Sequence, residues 1–164
     1  MVVGAGIVGA SLAYHLSISS RPVTLVDAGL PASGATGASF AWIGHSVTPE
    51  LPSAPLRDIA LDEYRRLERE LPDLAIAWTG ALVWGGNEHP EDPSRAVSDV
   101  RAIEPRLSSP PPVAFHARED GALDPVATTE LLVAAAHGNG CRIRIGSPVV
   151  GLVRDGEAVA GVQT

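Results

Sequence analysis

The run Gly4-Ala5-Gly6-Ile7-Val8-Gly9 and the acid Asp27 carry the clearest chemistry in this chain. The glycines come directly after the β-branched pair Val2-Val3, and Asp27 stands eighteen residues beyond Gly9. At this spacing Gly4 permits a tight turn, Gly6 lets the backbone approach a pyrophosphate, and Gly9 lets a helix lie close against the preceding strand. The N-terminus of that helix then faces the anion with unpaired amides and the positive end of its dipole. Asp27 is placed to accept hydrogen bonds from a ribose 2'-hydroxyl, and its charge repels a 2'-phosphate. The pattern predicts a dinucleotide site that disfavours NADP.

The surrounding elements fit that role. Met1-Val2-Val3 reads as a strand, Ala10 to Ser17 as a helix of Ala, Leu and Tyr, and Val23 to Val26 as a short buried strand after the break at Arg21-Pro22. Together they make one βαβ unit. The next segment, Pro31 to Ser39, is built of small and hydroxyl-bearing residues and is expected to be a flexible loop that wraps phosphates with amides and hydroxyls. A plain nicotinamide domain has no need of it.

Composition removes other chemistries. The 164 residues carry 19 acids against 12 bases, every base is Arg, and the net charge is -7. That balance disfavours an extended nucleic-acid surface. Without Lys there is no Schiff-base lysine and no phosphate-loop lysine. Cys141 is the single cysteine, no Cys/His cluster has metal spacing, and the sequence is expected to sit in the reducing cytoplasm without a metal. The apolar opening is interrupted by glycines and is shorter than the ~20 residues of a membrane span. Cys141 reads as a small buried apolar residue, and Trp42, Trp78 and Trp84 as packing residues, with Trp42 near enough in sequence to border the loop.

Further along, Pro55 to Leu71 predicts an amphipathic helix with an apolar stripe of Leu56, Ile59, Ala60, Tyr64, Leu67 and Leu71, and an Asp62–Arg66 pair on its solvated face. Ala81 to Trp84 and Val113 to His116 read as strands, with a loop over Asn87 to Ser94. Thr128 to His137 reads as a helix stopped by Gly138-Asn139-Gly140, and Cys141 to Ile145 as a strand with one apolar face. Val149 to Arg154 and Ala158 to Val162 read as a hairpin around Asp155-Gly156.

Val2 to Gly9, Val23 to Gly29 and Ala32 to Ser39 together resemble the amino-terminal part of the FAD-dependent D-amino acid oxidase superfamily, which includes glycine oxidase, sarcosine oxidase and D-amino acid dehydrogenases. Glu119 to Pro125 and Gly140 to Val149 continue the resemblance, so it covers nearly the whole chain. It implies an α/β fold, a Rossmann-like FAD-binding domain with an inserted, incomplete α+β substrate domain. The expected division is 1–74 as the first part of the FAD-binding domain, 75–124 as the substrate-side segment and 125–164 as the return into the FAD-binding domain. The resemblance implies FAD as cofactor, with ADP-side contacts at Gly4, Gly6, Ile7, Val8, Gly9, Asp27 and Ala28. It also implies flavin-linker contacts at Ser33, Gly34 and Thr36, and backbone contact near the adenine at Val149. In that family a hydride leaves the carbon beside the substrate nitrogen for the flavin, and the substrate is a small amine or amino acid.

No catalytic residue transfers to this chain. His45 is the candidate for a group near the flavin ring, since histidine tunes charge at neutral pH, and a structural histidine is the alternative. His15, His89, His116 and His137 have no partners at ligand spacing. Only three residues precede Gly4, so the first strand looks clipped, and the chain resembles a truncated version of the family. Two other readings stay open: an NAD-binding dehydrogenase domain, and a non-catalytic fragment that retains the fold. The loss of helix–strand alternation after residue 40 counts against the first.

Overall fold

The computed structural model describes residues 1–19, 21–44, 52–85 and 95–164. They form two compact units, Met1–Phe40 with Asp124–Thr164, and Ala41–Leu123.

In the first unit, β1 (Val2–Val3), α1 (Ile7–Ile18) and β2 (Thr24–Val26) make the expected βαβ unit. Later in the chain come α4 (Pro125–Gly138), β9 (Arg142–Arg144), β10 (Gly151–Asp155) and β11 (Ala158–Gln163). A parallel three-stranded sheet runs in the order β1-β2-β9, pairing Val2 with Leu25 and Leu25 with Ile143. The central strand is the most buried, with Leu25 and Val26 fully covered, as strands packed on both faces are. α1 lies on α4. Ala10, Ala13 and Ala136 are fully buried, and their small side chains allow close approach of the helices; the Asn139 side-chain amide donates to Ser17 Oγ at 3.3 Å. Val8 and Leu12 stay exposed on α1. α4 starts earlier than its apolar run suggests, because Asp124 accepts the Val126 and Ala127 amides at 2.8 and 3.0 Å and Pro125 suits the first helical turn. β10 and β11 form an antiparallel hairpin with Gly156 at φ +59°.

The second unit holds β3 (Trp42–Ile43), α2 (Ala54–Glu70), β4 (Ile76–Ala77), β5 (Ala81–Val83), β6 (Ala96–Val97), α3 (Val100–Ile103), β7 (Ala114–Ala117) and β8 (Gly121–Leu123). Two antiparallel sheets run β3-β8-β4 and β5-β7-β6. The compact units divide at 40/41 and 123/124, whereas the sequence reading set its boundaries at 74/75 and 124/125. Residues 41–74 cluster with the second unit for physical reasons. β3 pairs with β8, Glu68 on α2 accepts the Trp78 indole N–H at 2.8 Å, and Arg65 lies 4.3 Å over the Trp78 ring.

α2 corrects the expected stripe. Leu56 and Ile59 are exposed, while Ala54, Leu61 and Leu67 are buried. The buried and half-buried arc runs from Leu67 through Ala60, Tyr64 and Leu61 to Ala54, so Leu67, Ala60 and Tyr64 keep their place in the stripe while Leu56 and Ile59 lie outside it. The expected Asp62–Arg66 pair is also replaced: Arg66 bonds Glu63 and Glu70. The strands β3, β4, β6 and β8 are only two or three residues long and carry no periodicity of their own. The loop expected over Asn87 to Ser94 lies outside the described residues.

Candidate functional site

The glycine run forms a turn at the C-terminal end of β1, next to the C-terminal end of β2. Ligands of open α/β sheets bind at this edge. Gly4 has φ +100°, a left-handed value costly to any residue with a Cβ, and donates to Val26 O at 2.8 Å. Gly9 is pressed against the same turn: a Cβ there would lie 1.8 Å from Gly4 O. No side chain larger than hydrogen fits without α1 moving.

Gly6 caps α1 with extended backbone and no side-chain acceptor. The Ile7 amide instead reaches Thr36 Oγ1 at 3.0 Å. Among the described residues the amides of Gly6, Val8 and Gly9 have no acceptor within the protein. These are the orphan donors that an α-helix leaves at its start.

Asp27 directly follows β2, and its backbone continues the sheet: its N–H donates to Arg144 O at 3.0 Å, and its carbonyl accepts from Ser147 N–H at 2.8 Å. Its carboxylate binds two backbone amides, Oδ2 taking Ala5 N–H at 2.5 Å and Oδ1 taking Gly29 N–H at 2.7 Å. Each oxygen keeps a second lone pair for another donor. Ala28 is exposed beside it, and Val149 lies two residues past Ser147.

The segment expected to be a flexible loop is a chain of turns stitched to the glycine turn. Ala32 donates to Ala5 O at 3.0 Å and accepts Gly37 N–H at 2.9 Å, and Ser39 donates to Thr36 O at 3.1 Å. Ala32 is buried and sits at φ 60°, a left-handed conformation that costs an alanine about 1 kcal/mol or more. Ser33 and Gly34 are exposed and Thr36 is half-buried.

The structure therefore brings Gly4, Gly6, Ile7, Val8, Gly9, Asp27 and Thr36 to one edge. Ala28, Ser33 and Gly34 lie on the same segments, and Val149 follows the strand paired with Asp27. Sequence reasoning missed Ala5, Gly29 and Ala32. The first two supply the amides Asp27 holds, and the Asp-x-Gly spacing of an Asx turn is the signal that points to Gly29. Nothing in residue type singles out Ala32.

A diphosphate ester fits this turn: the unpaired amides are hydrogen-bond donors, a Cβ at Gly6 would sit 3.0 Å from Thr36 Oγ1, and the adjacent carboxylate retains acceptor capacity for ribose hydroxyls. The remaining candidates do not gather there. Burial pushes the Cys141 thiol above its ordinary range, which suits a core residue. His15 Nδ1 is 2.7 Å from Ser11 O and His137 Nδ1 is 3.2 Å from Cys141 O. Trp42 donates its indole N–H to the buried Asp120 at 3.0 Å within the second unit. His45 and His89 lie outside the described residues. No group of His, Cys, Asp and Glu fit to hold a metal ion occurs among the described residues, and no helix among them is long and apolar enough to cross a membrane.

Known proteins agree with the geometry. The family model of FAD dependent oxidoreductases, DAO, matches residues 1–164. The 4-methylaminobutanoate oxidase (formaldehyde-forming) of Paenarthrobacter nicotinovorans is 30% identical over a 186-residue alignment that covers 100% of this chain and 22% of that protein. Glycine oxidase from Bacillus cereus superposes with a TM-score of 0.81 at 20% identity, over 98% of this chain and 49% of that one. The L-alpha-glycerophosphate oxidase of Mycoplasma pneumoniae, solved with FAD bound, gives 0.79 at 18% identity, over 93% of this chain and 46% of that one. The chain thus spans a fifth to a half of the length of these proteins. The match over every residue, together with the glycine turn and its acid, establishes that the chain belongs to the DAO family of FAD-dependent oxidoreductases.

Proposed function

We propose that this chain is the FAD-binding part of an oxidoreductase that oxidises the C–N bond of an amino acid or secondary amine. The observation that carries the reading is the glycine turn, which leaves the Gly6, Val8 and Gly9 amides unpaired beside Asp27. In this reading the first unit holds the cofactor and the second lies on the substrate side. The amides around Gly4, Gly6, Ile7, Val8 and Gly9 bind the diphosphate, and Asp27 with Ala28 orients the adenosine ribose. Ser33, Gly34 and Thr36 flank the flavin linker, and the backbone at Val149 borders the adenine. Bound FAD supplies the acceptor for a hydride from the carbon beside the substrate nitrogen. The chain's own part is to bind and orient that group.

The names of relatives support an amine or amino acid as substrate, and a glycerophosphate oxidase among the similar folds supplies the contrasting class. The lone buried thiol supports a cytoplasmic location. The all-Arg, acidic composition supports a small-molecule substrate over nucleic acid. The test is anaerobic bleaching of the flavin absorbance of the FAD-loaded oxidoreductase that contains this chain by glycine, sarcosine, proline, D-amino acids and glycerol 3-phosphate. Bleaching by an amine or amino acid is expected. Bleaching by glycerol 3-phosphate alone, or by none of the panel, contradicts the reading.

A further inference from the structure

We propose that Thr36 is a positioning residue for the cofactor diphosphate, serving it through the Ile7 amide rather than by contact with the flavin linker. This rests on the FAD reading above and sharpens the part of one residue in it.

The argument begins with what α1 lacks. Its N-cap is Gly6, and its first turn holds no acidic residue, so the helix cannot cap itself with Ser, Thr, Asp or Asn as most do. A residue with a Cβ at position 6 would crowd Thr36 Oγ1, which a Cβ would meet at 3.0 Å. Thr36, 29 residues later, brings its hydroxyl oxygen to Ile7 N–H at 3.0 Å. Two residues earlier in the turn, Asp27 holds Ala5 N–H. Protein side chains thus take the Ala5 and Ile7 amides, and the amides at Gly6, Val8 and Gly9 are left without a protein acceptor among the described residues.

The loop is built to keep Thr36 there. Ala32 donates to Ala5 O at 3.0 Å, which ties the loop to the glycine turn, and accepts Gly37 N–H at 2.9 Å, which closes the loop across the residues that lead to Thr36. Ala32 holds a left-handed φ of 60° to make those bonds. A strained, buried alanine persists only where surrounding bonds over-determine it. Holding the first helical amide sets the direction of the next ones before any anion arrives, so the diphosphate meets a preformed turn and loses less freedom on binding.

The test compares Thr36→Val, which keeps the shape and removes the acceptor, with Thr36→Ser, which restores it, in the 164-residue chain. Three readouts are taken: thermal midpoint without ligand, FAD affinity and ADP affinity. Thr36→Val is expected to lower the midpoint by about 2–4 °C. It should weaken FAD and ADP by the same factor, roughly fivefold or more, and Thr36→Ser should recover all three. A lower midpoint with both affinities unchanged reduces Thr36 to a structural cap and overturns the proposal. An unchanged midpoint with weaker binding means direct contact, and loss of FAD affinity alone means contact on the flavin side; either overturns it. A folded wild-type chain that binds neither FAD nor ADP overturns the FAD reading itself, and that result is distinct from a wild type that binds both while the valine variant binds them equally well.

Discussion

Gly9→Ala is the substitution for which the structure gives the firmest number. The added Cβ would stand 1.8 Å from Gly4 O and 2.9 Å from Gly4 C, against a floor of 3.0 Å that real Cβ atoms respect, so α1 must retreat by about 1.2 Å. Backbone meets backbone at this point, and no rotamer relieves it. Overpacking of this kind costs about 1–3 kcal/mol, and alanine's better helix propensity returns at most ~1 kcal/mol. A net loss of about 1–2 kcal/mol lowers the thermal midpoint by roughly 2–8 °C in a chain of this size. The retreat also moves the amides offered to the diphosphate, so FAD affinity should fall about tenfold or more, the equivalent of ~1.4 kcal/mol. Gly138→Ala is the control, because a Cβ there has nothing within 4 Å and alanine suits the last turn of α4. Thermal unfolding followed by circular dichroism, with FAD titration of the same samples, reads both effects. A Gly9→Ala protein whose midpoint stays within about 1 °C of wild type and whose FAD affinity is unchanged refutes the steric argument.

Other consequences are as direct. Asp124→Ala removes the acceptor of the Val126 and Ala127 amides and should cost about 0.5–2 kcal/mol in thermal or urea unfolding. Trp42→Phe deletes the indole donor to Asp120, whose residue is 1% exposed, and should cost about 1–3 kcal/mol by the same assay. Arg66→Ala breaks two pairs on an open helix face and should change stability by no more than about 1 kcal/mol. Burial raises the Cys141 thiol above its ordinary 9.0, so the folded state favours the neutral thiol. Its contribution is therefore complete below pH 9.0, where the unfolded thiol is also protonated, and is lost as pH rises from there through the folded value. Replacing Cys141 with Ala should flatten that alkaline loss in urea unfolding.

How much of this was legible in the residues differs between the two units. The first was readable because its signals are local: β-branched strands, glycines at fixed spacing, an acid at the end of the second strand. The second was readable only in part: the strands read at Ala81 to Trp84 and Val113 to His116 are β5 and β7, but two-residue strands such as Ile76–Ala77 are defined by a partner far along the chain and leave no periodicity behind. α2 shows the intermediate case. Its helical period was plain, but which arc is buried depends on what it meets, and Leu61 rather than Leu56 or Ile59 meets it. In the site, residue types pointed to Gly4, Gly6, Gly9 and Asp27. They could not show that Asp27 also binds the Ala5 amide, nor that a loop of small residues is stitched to Ala5 by a left-handed Ala32. Both facts are long-range hydrogen bonds, which a single sequence does not encode in its spacing.

The central claim is that the glycine turn of this chain holds the ADP half of FAD. Equilibrium dialysis of the chain against FAD, repeated with competing ADP, tests it most directly. The account predicts one flavin per folded chain, displaced by ADP and weakened by Gly9→Ala. A chain folded by circular dichroism that retains no flavin, or that retains flavin which ADP fails to displace, contradicts it.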